Sequence, residues 1–91
     1  MLTGTPTAAE IEATIHRTIV ELLERAGKTV PAFDQDDDLV ATGLTSLDLA
    51  ALVAKLARQW RIDPFLETKA ITEVRTVGDL CDAYRESLGA R

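Results

Sequence analysis

The chain has 91 residues, with 10 Lys and Arg against 15 Asp and Glu, and a formal net charge of −5. This length allows one small domain with a single core, and the lone cysteine, Cys81, excludes both an internal disulfide and a zinc site built from several cysteines. The negative charge argues against binding to nucleic acid or to an anionic membrane surface, because both attract Lys and Arg.

The N-terminal residues MLTGTPTAAE have neither the basic start nor the apolar run of a secretion signal, and no apolar stretch is long enough to span a membrane. We therefore expect a cytoplasmic protein, monomeric, with a flexible tail over residues 1–6 and one domain over residues 7–89.

The first predicted helix begins at Thr7, because Thr7 and Glu10 have the spacing of a capping box. Apolar residues then recur at helical intervals, and Gly27 follows as a stop signal. The predicted core face consists of Ile11, Ile15, Ile19, Leu22, Leu23 and Ala26.

A long connection follows, over residues 28–44, and it carries much of the acidic charge. Residues 34–48 contain five aspartates and no Lys or Arg. A loop of this length in so small a domain is usually functional or contains a short helical turn of its own. The simplest interpretation of the acidic run is a solvated loop without a function of its own.

Asp34, Asp36 and Asp38 have the spacing of the first three ligands of an EF-hand calcium loop. The sixth position of such a loop must be Gly and the twelfth must be Glu, but these positions hold Leu39 and Thr45. The sequence therefore predicts no calcium site here.

Two more main helices complete the pattern. The second helix covers about residues 46–61, and a short third helix is expected near residues 68–74. The last helix begins with a capping box, Thr76 and Asp79, and ends before Gly89. Their core faces are predicted at Leu49, Leu52, Val53, Leu56 and Trp60, and at Val77, Leu80, Cys81, Tyr84 and Leu88. The fold is predicted to be all-α: a small bundle of three main helices plus one short helix, with a long loop between the first two.

The start of the second helix reads GLTSLDLA, and Thr45 and Asp48 form another capping box, with Asp in place of Glu. If Thr45 is the cap, then Ser46 is the first helical residue and its hydroxyl is free. It would lie beside unpaired amides and the positive end of the helix dipole, which favour an anion such as phosphate. Alternatively, Ser46 is itself the cap or an ordinary surface serine.

The segment DLVATGLTSLDLAALVAKL resembles the attachment segment of acyl carrier proteins and peptidyl carrier domains. The matching positions are Asp38-Leu39, Gly43-Leu44 and Ser46-Leu47, followed by an amphipathic helix. The stretch ITEVRTVGDL resembles the family's passage into its last helix, so that the resemblance extends over the whole chain apart from the N-terminal tail.

This resemblance implies that Ser46 is esterified with 4'-phosphopantetheine, donated by coenzyme A through a phosphopantetheinyl transferase. The thiol of that arm would carry acyl or aminoacyl groups as thioesters between loading, elongating and tailoring enzymes. The protein itself would then be a carrier and no enzyme.

The chain departs from the family in two places. Thr45 stands where the family most often has Asp, although Thr can cap a helix in the same way. The exposed side of the second helix has Asp48 as its only acid, whereas fatty-acid carriers display several. We expect partners to dock there through small apolar contacts, as in polyketide or nonribosomal peptide pathways. The docking residues are predicted to be Leu47, Ala50, Ala51, Ala54 and Arg58.

Other residues that could in principle take part in catalysis or binding are assigned structural roles. His16, the only histidine, is predicted on the polar side of the first helix, where it has no nucleophile to activate. Cys81 and Trp60 fall on core faces, and Trp60 is expected to pack against the first and last helices. Two alternatives stay open: a helical interaction module that kept the carrier fold without the arm, which Thr45 would favour, and a carrier of fatty-acid synthesis.

Overall fold

The computed structural model describes residues 6–62 and 74–89 of the chain. Three α-helices occupy these ranges: α1 (Ala8–Arg25), α2 (Ser46–Trp60) and α3 (Val77–Leu88). A single turn of 3-10 helix, Val40–Thr42, lies in the loop between α1 and α2. The predicted all-α bundle of three main helices is confirmed. The short helix expected near residues 68–74 lies outside the described residues, except for Val74, which is in no helix.

The first helix begins and ends close to the predicted residues. The Thr7 hydroxyl accepts a hydrogen bond from the Glu10 amide, and the Glu10 carboxylate accepts one from the Thr7 amide. Five of the six predicted core residues are buried, but Ala26 is exposed. Ala26 is the C-cap, just beyond the last helical residue, Arg25, so that the helical periodicity no longer places it on the core face; the prediction for this residue was therefore wrong.

The loop between α1 and α2 contributes to the core. Leu39 and Leu44 are buried on either side of the 3-10 turn, whose Thr42 hydroxyl donates a 2.6 Å hydrogen bond to the Leu39 carbonyl. Gly43 follows with a φ of +104°, a left-handed conformation that side chains rarely adopt. A short helical turn was one of the two features expected of so long a loop, and this turn directs the chain into α2.

The second helix ends at Trp60, one residue before the predicted end, because Arg61 adopts a left-handed conformation with a φ of +56°. Leu52 and Leu56 are fully buried, whereas the other predicted core residues of this helix, Leu49, Val53 and Trp60, are half-buried. The ring centroids of Trp60 and of Tyr84 on α3 lie 5.4 Å apart, so that Trp60 contacts the last helix as predicted.

Helix α1 is the centre of the bundle, since it packs against both α2 and α3. Its isoleucines, Ile11, Ile15 and Ile19, are completely buried among leucines of the other helices and the loop. The predicted face of α3 is buried up to Tyr84, and Leu88 packs against the core at its edge. The bounds predicted for the domain, residues 7–89, stay a prediction.

Candidate functional site

The turn before α2 is held by a complete capping box. The Thr45 hydroxyl accepts a 3.1 Å hydrogen bond from the Asp48 amide, and the Asp48 carboxylate accepts a 3.0 Å bond from the Thr45 amide. Thr45 therefore caps the helix as an Asp would, and Ser46 is the first helical residue.

Ser46 lies at an open helix end. Its side chain is exposed, and in the described part of the chain its hydroxyl makes no hydrogen bond. The capping box uses two of the four amides that a helix leaves unpaired at its start. The other two, those of Ser46 and Leu47, have no acceptor among the described residues. The hydroxyl thus stands beside two free donors and the positive end of the helix dipole, an arrangement that favours an anion.

The start of α3 is closed although its local sequence is similar. Its capping box, Thr76 and Asp79, forms in the same way. Here, however, the two remaining amides donate to loop carbonyls: Val77 to Asp37 at 2.9 Å and Gly78 to Gln35 at 2.8 Å. The start of α1 has Ala8 in the position of Ser46, without a hydroxyl. Among the three helices in the described ranges, only α2 combines open amides with an exposed hydroxyl at its first residue.

Lys28 reaches this turn from the end of α1. Its ammonium group donates a 2.7 Å hydrogen bond to the Gly43 carbonyl and lies 3.4 Å from the Asp48 carboxylate. Its own amide is bonded to the Leu23 carbonyl at the end of α1, which fixes the base of the side chain. Lys28 thereby fastens the end of the first helix to the start of the second.

The Asp48 carboxyl is held in its charged form. The hydrogen bond from the Thr45 backbone amide, and less strongly the nearby Lys28 ammonium, lower its pKa below the ordinary value for aspartate. Asp48 is therefore an anion engaged within the turn, and its side chain is only 22% exposed.

The predicted docking face of α2 is exposed. Leu47, at 80% exposure, and Val40, at 76%, are the large apolar side chains most open to solvent among the described residues. The small residues and the base predicted to lie on the same face are also exposed: Ala50, Ala51, Ala54 and Arg58. These positions are accessible, and their part in docking stays a prediction.

The remaining candidates lie away from this turn. His16 is exposed and stacks on the Phe33 ring at 4.3 Å, a contact that the sequence did not predict. Cys81 is buried, and burial raises the pKa of its thiol to about 11. In the acidic loop, the Asp34 and Asp37 carboxylates accept hydrogen bonds from backbone amides of the loop itself. No cluster of metal ligands occurs among the described residues.

Comparison with known proteins shows the family to which the chain belongs. Residues 13–84 match the family model described as "Phosphopantetheine attachment site". The chain belongs to this family. It is a carrier protein with covalently attached 4'-phosphopantetheine as its prosthetic group, and it serves partner enzymes.

A solved structure supports the same assignment. The solution structure of MacpD, an acyl carrier protein from Pseudomonas fluorescens involved in mupirocin biosynthesis, matches with a TM-score of 0.77 and 34% sequence identity. The match covers 85% of this chain and 69% of MacpD. A search of curated protein sequences finds no significant match. No helix in the described ranges of the carrier is long and apolar enough to cross a membrane.

Two residues near the turn were missed by the sequence analysis. Lys28 could have been found from charge balance, because it is the nearest base before the acidic segment 34–48, which has none of its own. Val40 gave no periodic signal, since a single 3-10 turn is too short to show one.

Proposed function

We propose that Ser46 carries the 4'-phosphopantetheine group, added from coenzyme A by a phosphopantetheinyl transferase. The observation that carries the proposal is the pairing of an exposed, unbonded hydroxyl with the two open amides of Ser46 and Leu47. A phosphodiester on this oxygen would be an anion at a helix start, the position where backbone donors and the helix dipole favour one.

The residues around Ser46 fit such a group. Because the side chain is exposed, a transferase can reach the hydroxyl and a long arm can leave the surface without displacing the core. The Thr45–Asp48 box fixes the first turn without using the Ser46 hydroxyl, so that modification need not unwind the helix. When attached, the group supplies a thiol on which acyl or aminoacyl groups are held as thioesters. The protein provides the anchor and the recognition surface.

We infer that the carrier serves a secondary-metabolite pathway of the polyketide or nonribosomal peptide type. Support comes from the similarity to MacpD, which is involved in mupirocin biosynthesis, and from the exposed face of α2. That face is mainly small and apolar, and its one acid, Asp48, is engaged with Thr45 and Lys28. A fatty-acid carrier, which docks on basic partners through several acids, is therefore less well supported.

The alternative hypothesis, an interaction module without the phosphopantetheine arm, loses its main support. Only Thr45 in place of Asp favoured it, and Thr45 forms the full capping box. The cytoplasmic location and the monomeric state stay predictions from the sequence.

Intact mass is the test of the proposed attachment. The protein is incubated with coenzyme A and a broad-specificity phosphopantetheinyl transferase, and we expect a gain of one phosphopantetheinyl group. Ser46→Ala should abolish the gain while helix content, measured by circular dichroism, is unchanged. Ser87→Ala on α3 is the matched control and should still be modified. A mass gain in Ser46→Ala would assign the group to another residue.

A further inference from the structure

The ammonium group of Lys28 joins two parts of the modification turn. It donates to the carbonyl of Gly43, which precedes the helix, and it faces the carboxylate of Asp48 in the first turn. Ser46 lies between these two contacts in sequence. Lys28 itself is separated from them by 15 and 20 residues, so that this contact depends on the tertiary fold.

The two contacts differ in strength. The 2.7 Å bond to the Gly43 carbonyl is a short hydrogen bond, whereas the 3.4 Å distance to Asp48 exceeds the usual range of 2.7–3.2 Å and is a loose ion pair. A lysine ammonium has three donors. Lys28 can therefore keep its bond to Gly43 while it turns toward a second anion at the same helix start.

The charge around this turn is strongly negative, and Lys28 is placed to balance it. Residues 34–48 contain five aspartates and no Lys or Arg, and Lys28 is the cation that contacts this segment within the described part of the chain. Modification of Ser46 would add one more negative charge two residues before Asp48. The open amides of Ser46 and Leu47 offset part of that charge, but they carry only the fractional charge of the helix dipole.

We propose that Lys28 is the countercharge of the modified serine. In the unmodified chain it positions the turn through Gly43 and Asp48; in the modified chain it pairs with the phosphodiester and holds the base of the arm against the loop. This inference rests on the proposed function, since it requires the group to be attached at Ser46.

The experiment compares Lys28→Met, which removes the charge but keeps an unbranched side chain, with Lys28→Arg and with Lys55→Met. Lys55 is a close match, because it forms a 3.5 Å ion pair with Glu21 on α1 and its side chain is 39% exposed against 37% for Lys28. For every variant, the melting temperature is measured in the apo and modified forms at low salt. The decisive quantity is the change on modification, since a merely structural role would move both forms together.

We expect Lys28→Met to make this change less favourable than in the wild type by about 2–6 °C, from the usual strength of an exposed ion pair in a small domain. Lys28→Arg should retain the wild-type value, and so should Lys55→Met. The difference should shrink in high salt. An equal change on modification in Lys28→Met and the wild type, or an equal loss in Lys55→Met, would overturn the role of Lys28.

A second readout follows the ammonium group directly. In ¹⁵N-labelled protein the side-chain nitrogen signal of Lys28 should move on modification, whereas that of Lys55 should not. A Lys28 signal that stays in place would also overturn the inference. If the wild type gains no mass, the proposed function fails; if it gains mass at Ser46 and these shifts are missing, only the role of Lys28 fails.

Discussion

The Gly78 amide donates a 2.8 Å hydrogen bond to the Gln35 carbonyl, and a Cβ at Gly78 would come within 2.9 Å of that same oxygen. The close approach lets the loop cover the start of α3. Next to it, Asp38 and Thr76 form an isolated antiparallel bridge, and the Leu39 amide donates to the Arg75 carbonyl. The start of α3 is thereby used for structure, whereas the start of α2 is left open.

Gly78→Ala should destabilise the protein. The added methyl group would press on a backbone carbonyl, at a cost of about 1–3 kcal/mol for overpacking, while the better helix propensity of Ala returns up to about 1 kcal/mol. We expect a net loss of about 1–2 kcal/mol in the free energy of unfolding, measured by urea denaturation. Ala9→Gly, at the matching position of α1, reports the propensity term alone. An unchanged or raised stability of Gly78→Ala would contradict the close packing.

Thr45→Asp should leave the unmodified protein as stable as before, within about 0.5 kcal/mol, because Asp also accepts the Asp48 amide and suits a helix start. Modification should stabilise Thr45→Asp less than it stabilises the wild type, since two carboxylates would then flank the phosphodiester. This difference between the two proteins should shrink in high salt. Thermal unfolding of both forms at low and high salt measures this. A drop of several degrees in the apo form would mean that Thr45 makes a contact that Asp cannot make.

A negative charge on the exposed face of α2 should slow loading by the cognate enzyme. Leu47→Glu and Ala54→Glu each place a carboxylate on the proposed apolar docking surface without touching the core. We expect kcat/KM for loading to fall about tenfold, which corresponds to about 1.4 kcal/mol. Ala13→Glu makes the same chemical change on the exposed side of α1 and is the control. Equal effects on both helices would rule out α2 as the docking face.

The modified protein should expose one reactive thiol, that of its arm. Cys81 is only 3% exposed, and burial raises its pKa to about 11, so that little thiolate forms at pH 8. We expect iodoacetamide at pH 8 to label the apo protein slowly and the modified protein once, as counted by intact mass. In guanidinium chloride the apo protein should take one label rapidly. Rapid labelling of the folded apo protein would show that Cys81 becomes accessible through opening of α3.

The sequence by itself determined the three helices and the residue at the start of α2. Capping boxes and helical periodicity act within a few residues, so that Thr7, Thr45 and Thr76 are recognisable as caps before any fold is known. The same local rules offered Ser46 as the first helical residue with a free hydroxyl, but they left open that Ser46 was itself the cap; the capping box in the structure shows that Thr45 is the cap. They failed at Ala26, because a periodic pattern does not show at which residue the helix ends, and Ala26 lies just beyond that end.

Only the tertiary structure decided which helix start is open. The boxes TSLD and TVGD each satisfy the amides of the cap and of the third helical residue. Nothing in either segment tells whether the amides of the first and second helical residues find acceptors. That depends on where packing against α1 places the loop: its Gln35 and Asp37 carbonyls lie at α3, while Lys28 lies at the turn before α2. Such contacts join residues far apart in the chain, and burial of the shared core brings them together where local sequence preferences cannot.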